Sequence, residues 1–301
     1  MKRVDIKLGF QCNNHCRFCV QGDKREKFPD KTDREVRDIL EKEAKECQEV
    51  LFSGGEPTFR PNELLDWVRY AKELKYQIIQ IQTNGRMFAY MNYCEEIIKA
   101  GANVFGLSIH GSNPQIHDYL TRVPGSWGQT TRGIKNLKSL GRSVMTNSVV
   151  NKINYKDLPD LAKLLVSLGV RQFQFAFMHI NRLIASDPKL IKEIVPRHPA
   201  VEPYVKKGLQ IGIKAGLRVM TEAIPYCFMK GYEQYIAEKI IPDAAVYDAD
   251  SVIKDFTPHR KTKGKAKGPN CKKCRYYKVC EGPWKEYPEI FGWKEFKPVK
   301  D

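Results

Sequence analysis

No stretch of this 301-residue sequence approaches the roughly 18 consecutive apolar residues that a membrane helix needs. Met1-Lys2-Arg3-Val4 runs into Asp5 with no apolar leader before it, so no signal peptide is expected. The expectation is a soluble, cytoplasmic protein with no membrane contact. Internal repeats are absent. Acid is scarce relative to base, with 35 Asp and Glu against 51 Lys and Arg, a net charge of +16. That balance says nothing about fold. It favours acidic partners such as nucleic acid, an acidic protein or an anionic substrate, with a solvated lysine-rich surface as the alternative. At 42% hydrophobic and 11% aromatic residues the chain has material for a sizeable core, which excludes wholesale disorder.

Cysteine, by contrast, is plentiful, at positions 12, 16, 19, 47, 94, 227, 271, 274 and 280. Disulfides are disfavoured in a reducing compartment, so cysteine clusters there read as metal ligands or catalytic thiols. Three crowd near each end of the chain.

Between the clusters, strand-like and helix-like segments alternate. Strands are predicted at 4–8, 49–53, 77–82, 103–109, 143–150 and 171–177. Helices are predicted at 33–46, 62–74, 91–100, 127–140, 155–168 and 201–215. Six such units predict parallel strands joined by crossovers, as an open sheet or a partial barrel. The fold class is therefore read as α/β, a partial (β/α)6 TIM-like barrel over residues 1–216 with a small C-terminal cysteine-rich cap over 217–301. Active sites of such folds lie at the C-terminal strand ends. Past residue 216 a further strand is expected at 217–223, a short helix at 231–240, and a flexible basic loop at 254–273.

Cys12, Cys16 and Cys19 form a CxxxCxxC loop directly after the first strand. Three thiolates in eight residues can wrap one metal centre. Structural zinc asks for four ligands, and no fourth cysteine is near. A three-ligand site leaves one position open, which suits catalysis. Zinc and a plain electron-transfer cluster are the alternatives. With Phe18 before the last cysteine, the loop resembles that of radical S-adenosylmethionine enzymes. The resemblance implies a 4Fe–4S cluster with one free iron that chelates S-adenosylmethionine and, once reduced, cleaves it to a 5′-deoxyadenosyl radical.

The other strand ends extend the resemblance. Ser53-Gly54-Gly55-Glu56-Pro57 is similar to the family's GGEP motif. There the paired glycines allow close backbone approach, and the motif holds the cofactor's amino group. Thr83-Asn84-Gly85 resembles the polar turn lining the same pocket. Ser108 matches a position that hydrogen-bonds the cofactor. Arg122 is a candidate for its carboxylate, because arginine binds carboxylates bidentately, and Asn147 is a candidate ribose contact. His110, His117 and His179 are candidate acids or bases, structural histidines being the alternative.

The second cluster reads Cys271-x2-Cys274-x5-Cys280-x-Gly282. It resembles the auxiliary-cluster extensions called SPASM and twitch. Trp284 stands where the full SPASM pattern has a fourth cysteine, and Cys227 offers the missing ligand. Four cysteines would then hold one auxiliary 4Fe–4S cluster, or zinc. Cys47 and Cys94, on predicted helices, are expected to be buried inert thiols.

The resemblance identifies the cofactor chemistry and leaves the substrate open. A peptide or protein is the first reading. Nucleotide or RNA modification, and a small-molecule cofactor-biosynthesis step like that of the molybdopterin-precursor cyclase, are the others. A non-enzymatic iron–sulfur electron carrier remains the contrasting class, though it would have no need of Glu56 and its glycines. A low-potential donor of the flavodoxin or ferredoxin type is the expected partner.

Overall fold

The computed structural model describes residues 2–300, the side chains of 182 and 183 aside. Nine strands form one sheet in the order β7-β6-β5-β4-β3-β2-β1-β8-β9. They are β1 (Arg3–Lys7), β2 (Glu49–Ser53), β3 (Ile78–Thr83), β4 (Val104–Ser108), β5 (Val144–Val150), β6 (Gln172–Phe177), β7 (Arg218–Glu222), β8 (Ala244–Tyr247) and β9 (Val252–Ile253). All pairs are parallel except β8 with β9. The intervening helices are α1 (Asp33–Glu43), α2 (Pro61–Glu73), α3 (Met91–Ala100), α4 (Pro114–Thr121), α5 (Ser126–Ser139), α6 (Leu158–Ser167), α7 (Pro188–Ile194) and α8 (His198–Lys214); α9 (Glu286–Phe291) follows the second cysteine cluster. Among the described residues no helix is long and apolar enough to cross a membrane.

The period-two pattern sorts the two faces of the sheet. Val4, Ile6, Val50, Phe52, Ile81, Phe105, Leu107, Phe173 and Phe175 are fully buried on one face. Their register neighbours on the other face are polar and only partly buried: Lys7 pairs with Ser53, and Ser108 with Asn147, which in turn pairs with Gln174. An apolar row seals against helices, and a polar row is left for a site.

The alternating pattern is borne out, with differences at particular places. Helices α4 and α7 were not expected. They are short segments that start at proline after a capping Asn113 and Asp187. The helix expected at 231–240 is two 3-10 turns, Glu233–Tyr235 and Ala237–Lys239. Strand β8 went unread because its four residues, all buried, show no alternation. Thus β7, β8 and β9 lie past residue 216 yet extend the same sheet.

The flexible basic loop at 254–273 is the largest correction. It holds a helical turn at Phe256–His259, a wide turn at Arg260–Gly264, a bridge from Lys265 to Trp284 and a 3-10 turn at Pro269–Lys273. Arg260 and Lys265 are buried, 2% and 5% exposed. Arg260 donates from Nε and Nη2 to both oxygens of Glu281, each at 2.8 Å. Lys265 Nζ lies 3.9 Å over the Trp284 ring and 3.4 Å from Glu238 Oε1. Composition suggested a solvated loop because the partners of these cations lie 21 and 27 residues away.

Candidate active site

The loop carrying Cys12, Cys16 and Cys19 leaves β1 and is tied to one strand end after another. Gly55 N–H donates to Gly9 O (2.7 Å), and Glu56 N–H to Gln11 O (2.8 Å). His15 N–H donates to Thr121 O and Arg17 N–H to Leu120 O, at the end of α4 (2.9 and 3.0 Å). Asn181 Nδ2, beyond β6, donates to Cys19 O (2.8 Å). Phe18 packs edge-on against His110, with ring centres 4.7 Å apart.

The paired glycines serve this tie. A Cβ on Gly54 would stand 2.4 Å from Gly9 O, and Gly54 has a φ of +123°. A Cβ on Gly55 would stand 2.2 Å from Gln11 O. The backbone they admit is the chain's own cysteine-loop segment.

Glu56 is 5% exposed. Its Oε1 accepts from Thr58 N–H (3.0 Å), Thr58 Oγ1 (2.6 Å) and Thr83 Oγ1 (2.6 Å), and its Oε2 from Asn84 N–H (2.6 Å). Three donors saturate Oε1, while Oε2 takes one and keeps an acceptor site free. Glu56 thereby staples the end of β2 to the end of β3. Burial pushes its pKa up, and the four hydrogen bonds oppose that.

Asn84 Nδ2 donates to Asn13 Oδ1 (2.6 Å) and reaches Cys12 Sγ (3.8 Å), which also accepts from Asn14 N–H (3.3 Å). Two arginines unforeseen from the sequence grip the same loop. Arg86 donates to Asn13 O and Asn14 Oδ1 and is oriented by Gln129. Arg25 donates to Asn14 O (2.6 Å) and contacts His15 Nδ1 (3.1 Å). The signal for Arg86 was its place directly after Thr83-Asn84-Gly85. Burial pushes the Cys12 thiol up to about 11, with Glu56 adding to it. Cys16 is raised by burial, then by Cys19 and Cys12.

Ser108 and Asn147 face each other across β4 and β5. Asn147 Oδ1 is buried without a partner, which leaves it free for a ligand's donor. Arg122 is exposed, has a φ of +59°, and follows the Thr121 that holds His15. His110 and His117 are buried. Each Nδ1 accepts from a backbone N–H, of Val149 and His110 respectively, and burial lowers both pKa values, His117 to about 4. His179 stacks on Trp284, with ring centres 4.4 Å apart.

Cys227, Cys271, Cys274 and Cys280, scattered over 54 positions of sequence, line one pocket together with Tyr226 and Phe296. Val299 N–H donates to Cys274 Sγ (3.4 Å). Burial raises the Cys227 thiol, and Cys280, Cys271 and Cys274 add to it. Trp284 is a plug: its Nε1 donates to Phe177 O at the end of β6 (3.3 Å), seating the cysteine-bearing segment on the sheet. Among the described residues no three or more His, Cys, Asp or Glu stand close enough to hold a single metal ion. Cys47 and Cys94 are buried, as expected.

Relatives of known kind match this arrangement. An AdoMet-dependent heme synthase of Methanosarcina barkeri is 24% identical over 314 residues, covering 90% of this chain and 87% of that protein. One of Oleidesulfovibrio alaskensis is 29% identical over 160 residues, 52% of this chain and 40% of that protein. Among solved structures, anSMEcpe with bound AdoMet and a Kp18Cys peptide superposes with a TM-score of 0.72 at 16% identity, over 95% of this chain and 89% of that one. The sequence profile of the Radical SAM superfamily matches residues 6–165, which contain the first cysteine loop and the ends of β2, β3 and β4 beside it. The chain belongs to the radical SAM superfamily.

Proposed function

We propose that Cys12, Cys16 and Cys19 hold a 4Fe–4S cluster with one open iron. The observation that carries this is the convergence of four strand ends on a single three-cysteine loop. Reduced and bound to S-adenosylmethionine, such a cluster supplies the 5′-deoxyadenosyl radical that abstracts hydrogen from a substrate. The chain's own part is positional. Gly54, Gly55 and the Glu56–Thr83–Asn84 staple fix the loop's height, while Arg86 and Arg25 place positive charge beside an anionic centre. Ser108, Asn147 and Arg122 are proposed to take the cofactor's polar groups, the unpartnered Asn147 Oδ1 fitting a ribose hydroxyl.

Residues 217–301 are proposed to act as an auxiliary unit whose four cysteines hold a second 4Fe–4S cluster. A tetrahedral zinc draws four sulfurs in at about 2.3 Å each, whereas no three of these cysteines stand close enough to share a single ion. A fully ligated second cluster suits removal of an electron from the substrate after hydrogen abstraction. An acidic flavodoxin or ferredoxin is proposed to reduce the enzyme, met by the exposed Lys261, Lys263, Lys267, Lys272 and Lys273 beside the second cysteine cluster.

For the substrate, the peptide reading is supported by likeness to a peptide-bound fold. A cofactor-precursor reading, a tetrapyrrole for instance, is supported by the heme-synthase likeness that runs through 90% of the chain. The test is anaerobic reconstitution followed by EPR and 5′-deoxyadenosine assay. The cluster signal should change on adding S-adenosylmethionine, and 5′-deoxyadenosine should form with dithionite. An unchanged signal and no product would refute the proposal. A Cys12/Cys16/Cys19→Ala variant should keep about four irons, and retention of zinc alone would refute the second cluster.

A further inference from the structure

Where β1 meets β8, three lysines converge on one aspartate. Lys7, the last residue of β1, lies on the polar face of the sheet beside Ser53. Asp248 directly follows β8. Lys7 Nζ donates to Asp248 Oδ2 (2.6 Å), Lys24 Nζ to Oδ1 (2.7 Å) and Lys31 Nζ to the Asp248 carbonyl (2.7 Å). Lys7 precedes the first cysteine loop in sequence, and Lys24 and Lys31 follow it. Lys31 is fixed by its own N–H, which donates to Leu8 O (2.8 Å). The group is sunk into the surface, with the side chains of Lys7, Lys24 and Asp248 only 16%, 27% and 13% exposed.

Three ammonium groups converge on one aspartate, two on its carboxylate and one on its carbonyl. The neighbouring acids are otherwise engaged: Asp30 accepts from Phe10 N–H, and Glu35 accepts from Thr32 N–H and Oγ1. Asp5, one pleat below Lys7, is bonded by Ser53 Oγ, and burial raises its pKa toward the neutral form. The lysines outnumber the one aspartate they contact three to one. Burial lowers the Lys31 pKa, with Glu35 and Asp248 opposing that and Lys7 adding to it. Each ammonium has three donors, and Asp248 takes one from each. A structural tie would need one lysine for one aspartate. Three held together in advance form a seat that an incoming oxyanion occupies at little ordering cost.

We propose that Lys7, Lys24 and Lys31, gathered by Asp248, bind an oxyanion group of the substrate, a carboxylate or phosphate, beside the first cysteine loop. Assigning the anion to the substrate rests on the function proposed above; the existence of the seat does not.

The test is calorimetric titration of the reconstituted, unreduced enzyme at low ionic strength, where surface charge is least screened. The probes are tricarballylate and inorganic phosphate, each with and without S-adenosylmethionine. One saturable site is expected for at least one probe, and the tighter probe tells carboxylate from phosphate. Lys24→Gln, at a more exposed position than Lys7, should weaken binding at least fivefold without loss of fold, and Lys7→Gln should do the same. Lys254→Gln, exposed and outside the group, should not. Absence of binding by both probes, or binding indifferent to Lys24→Gln and Lys7→Gln, would overturn the seat. Competition with S-adenosylmethionine would overturn its assignment to the substrate. No radical chemistry enters the titration, so an enzyme inactive toward S-adenosylmethionine still reports on the seat.

Discussion

Gly55→Ala isolates the cysteine-loop tie. Gly55 does not have a positive φ, so alanine meets no backbone strain there and its effect is purely steric. The new methyl would stand 2.2 Å from Gln11 O, 2.5 Å from the Phe10 carbonyl carbon and 2.6 Å from Phe10 O, all backbone atoms. Ordinary contact begins near 3.4 Å, so the two segments must part by about 1 Å. Parting breaks the bonds from Gly55 N–H to Gly9 O and from Glu56 N–H to Gln11 O. Each is worth about 1 kcal/mol, and overpacking adds about 1–3 kcal/mol. The sum is about 3–5 kcal/mol, concentrated where Cys12 is held. At about 2 °C per kcal/mol for a chain of this size, the melting temperature should fall by about 6–10 °C. Iron content after reconstitution should fall with it. Gly125→Ala is the control, because its Cβ meets nothing within 4 Å while its φ is +81°. It should cost about 1–2 kcal/mol and keep the iron of the unmodified protein. A Gly55→Ala protein with full iron and an unchanged melting temperature would refute the argument that these glycines exist to seat the loop.

Three further outcomes are expected. Glu281→Gln strands the buried Arg260 guanidinium and should cost about 3–5 kcal/mol in urea unfolding, with most of it restored in Arg260→Met/Glu281→Met; equal costs for the single and double variants would contradict a charge-pair origin. His117, held near 4 in the fold against 6.5 unfolded, contributes stability that is full above pH 6.5 and is lost as pH falls toward 4. The loss is about 3 kcal/mol, and His117→Asn should flatten the melting-temperature profile over that window by the same share. Replacing Lys261, Lys263 and Lys267 by Gln should slow reduction by flavodoxin and weaken its salt dependence while leaving dithionite reduction alone. Slowing with both reductants would point to a disturbed fold. Lys265 is left out of that set because it is buried.

What could be read from the sequence was local. CxxxCxxC, Ser53-Gly54-Gly55-Glu56-Pro57 and Thr83-Asn84-Gly85 announce themselves because each places a few chemical groups within one turn or loop, where spacing constrains geometry. The apolar period of Leu64, Leu65, Val68 and Ala71 marks α2 for the same reason. Glu56 was singled out as an acceptor, yet whether it keeps a free lone pair depends on Thr83 and Asn84, 27 and 28 residues on. Only the tertiary structure brought Arg86 onto a loop 72 residues earlier and buried Arg260 against Glu281. It alone slid β8 beside β1, so that Lys7 meets Asp248 across 241 residues. Such pairings depend on which surfaces the packed sheet excludes from water, and no local spacing encodes that.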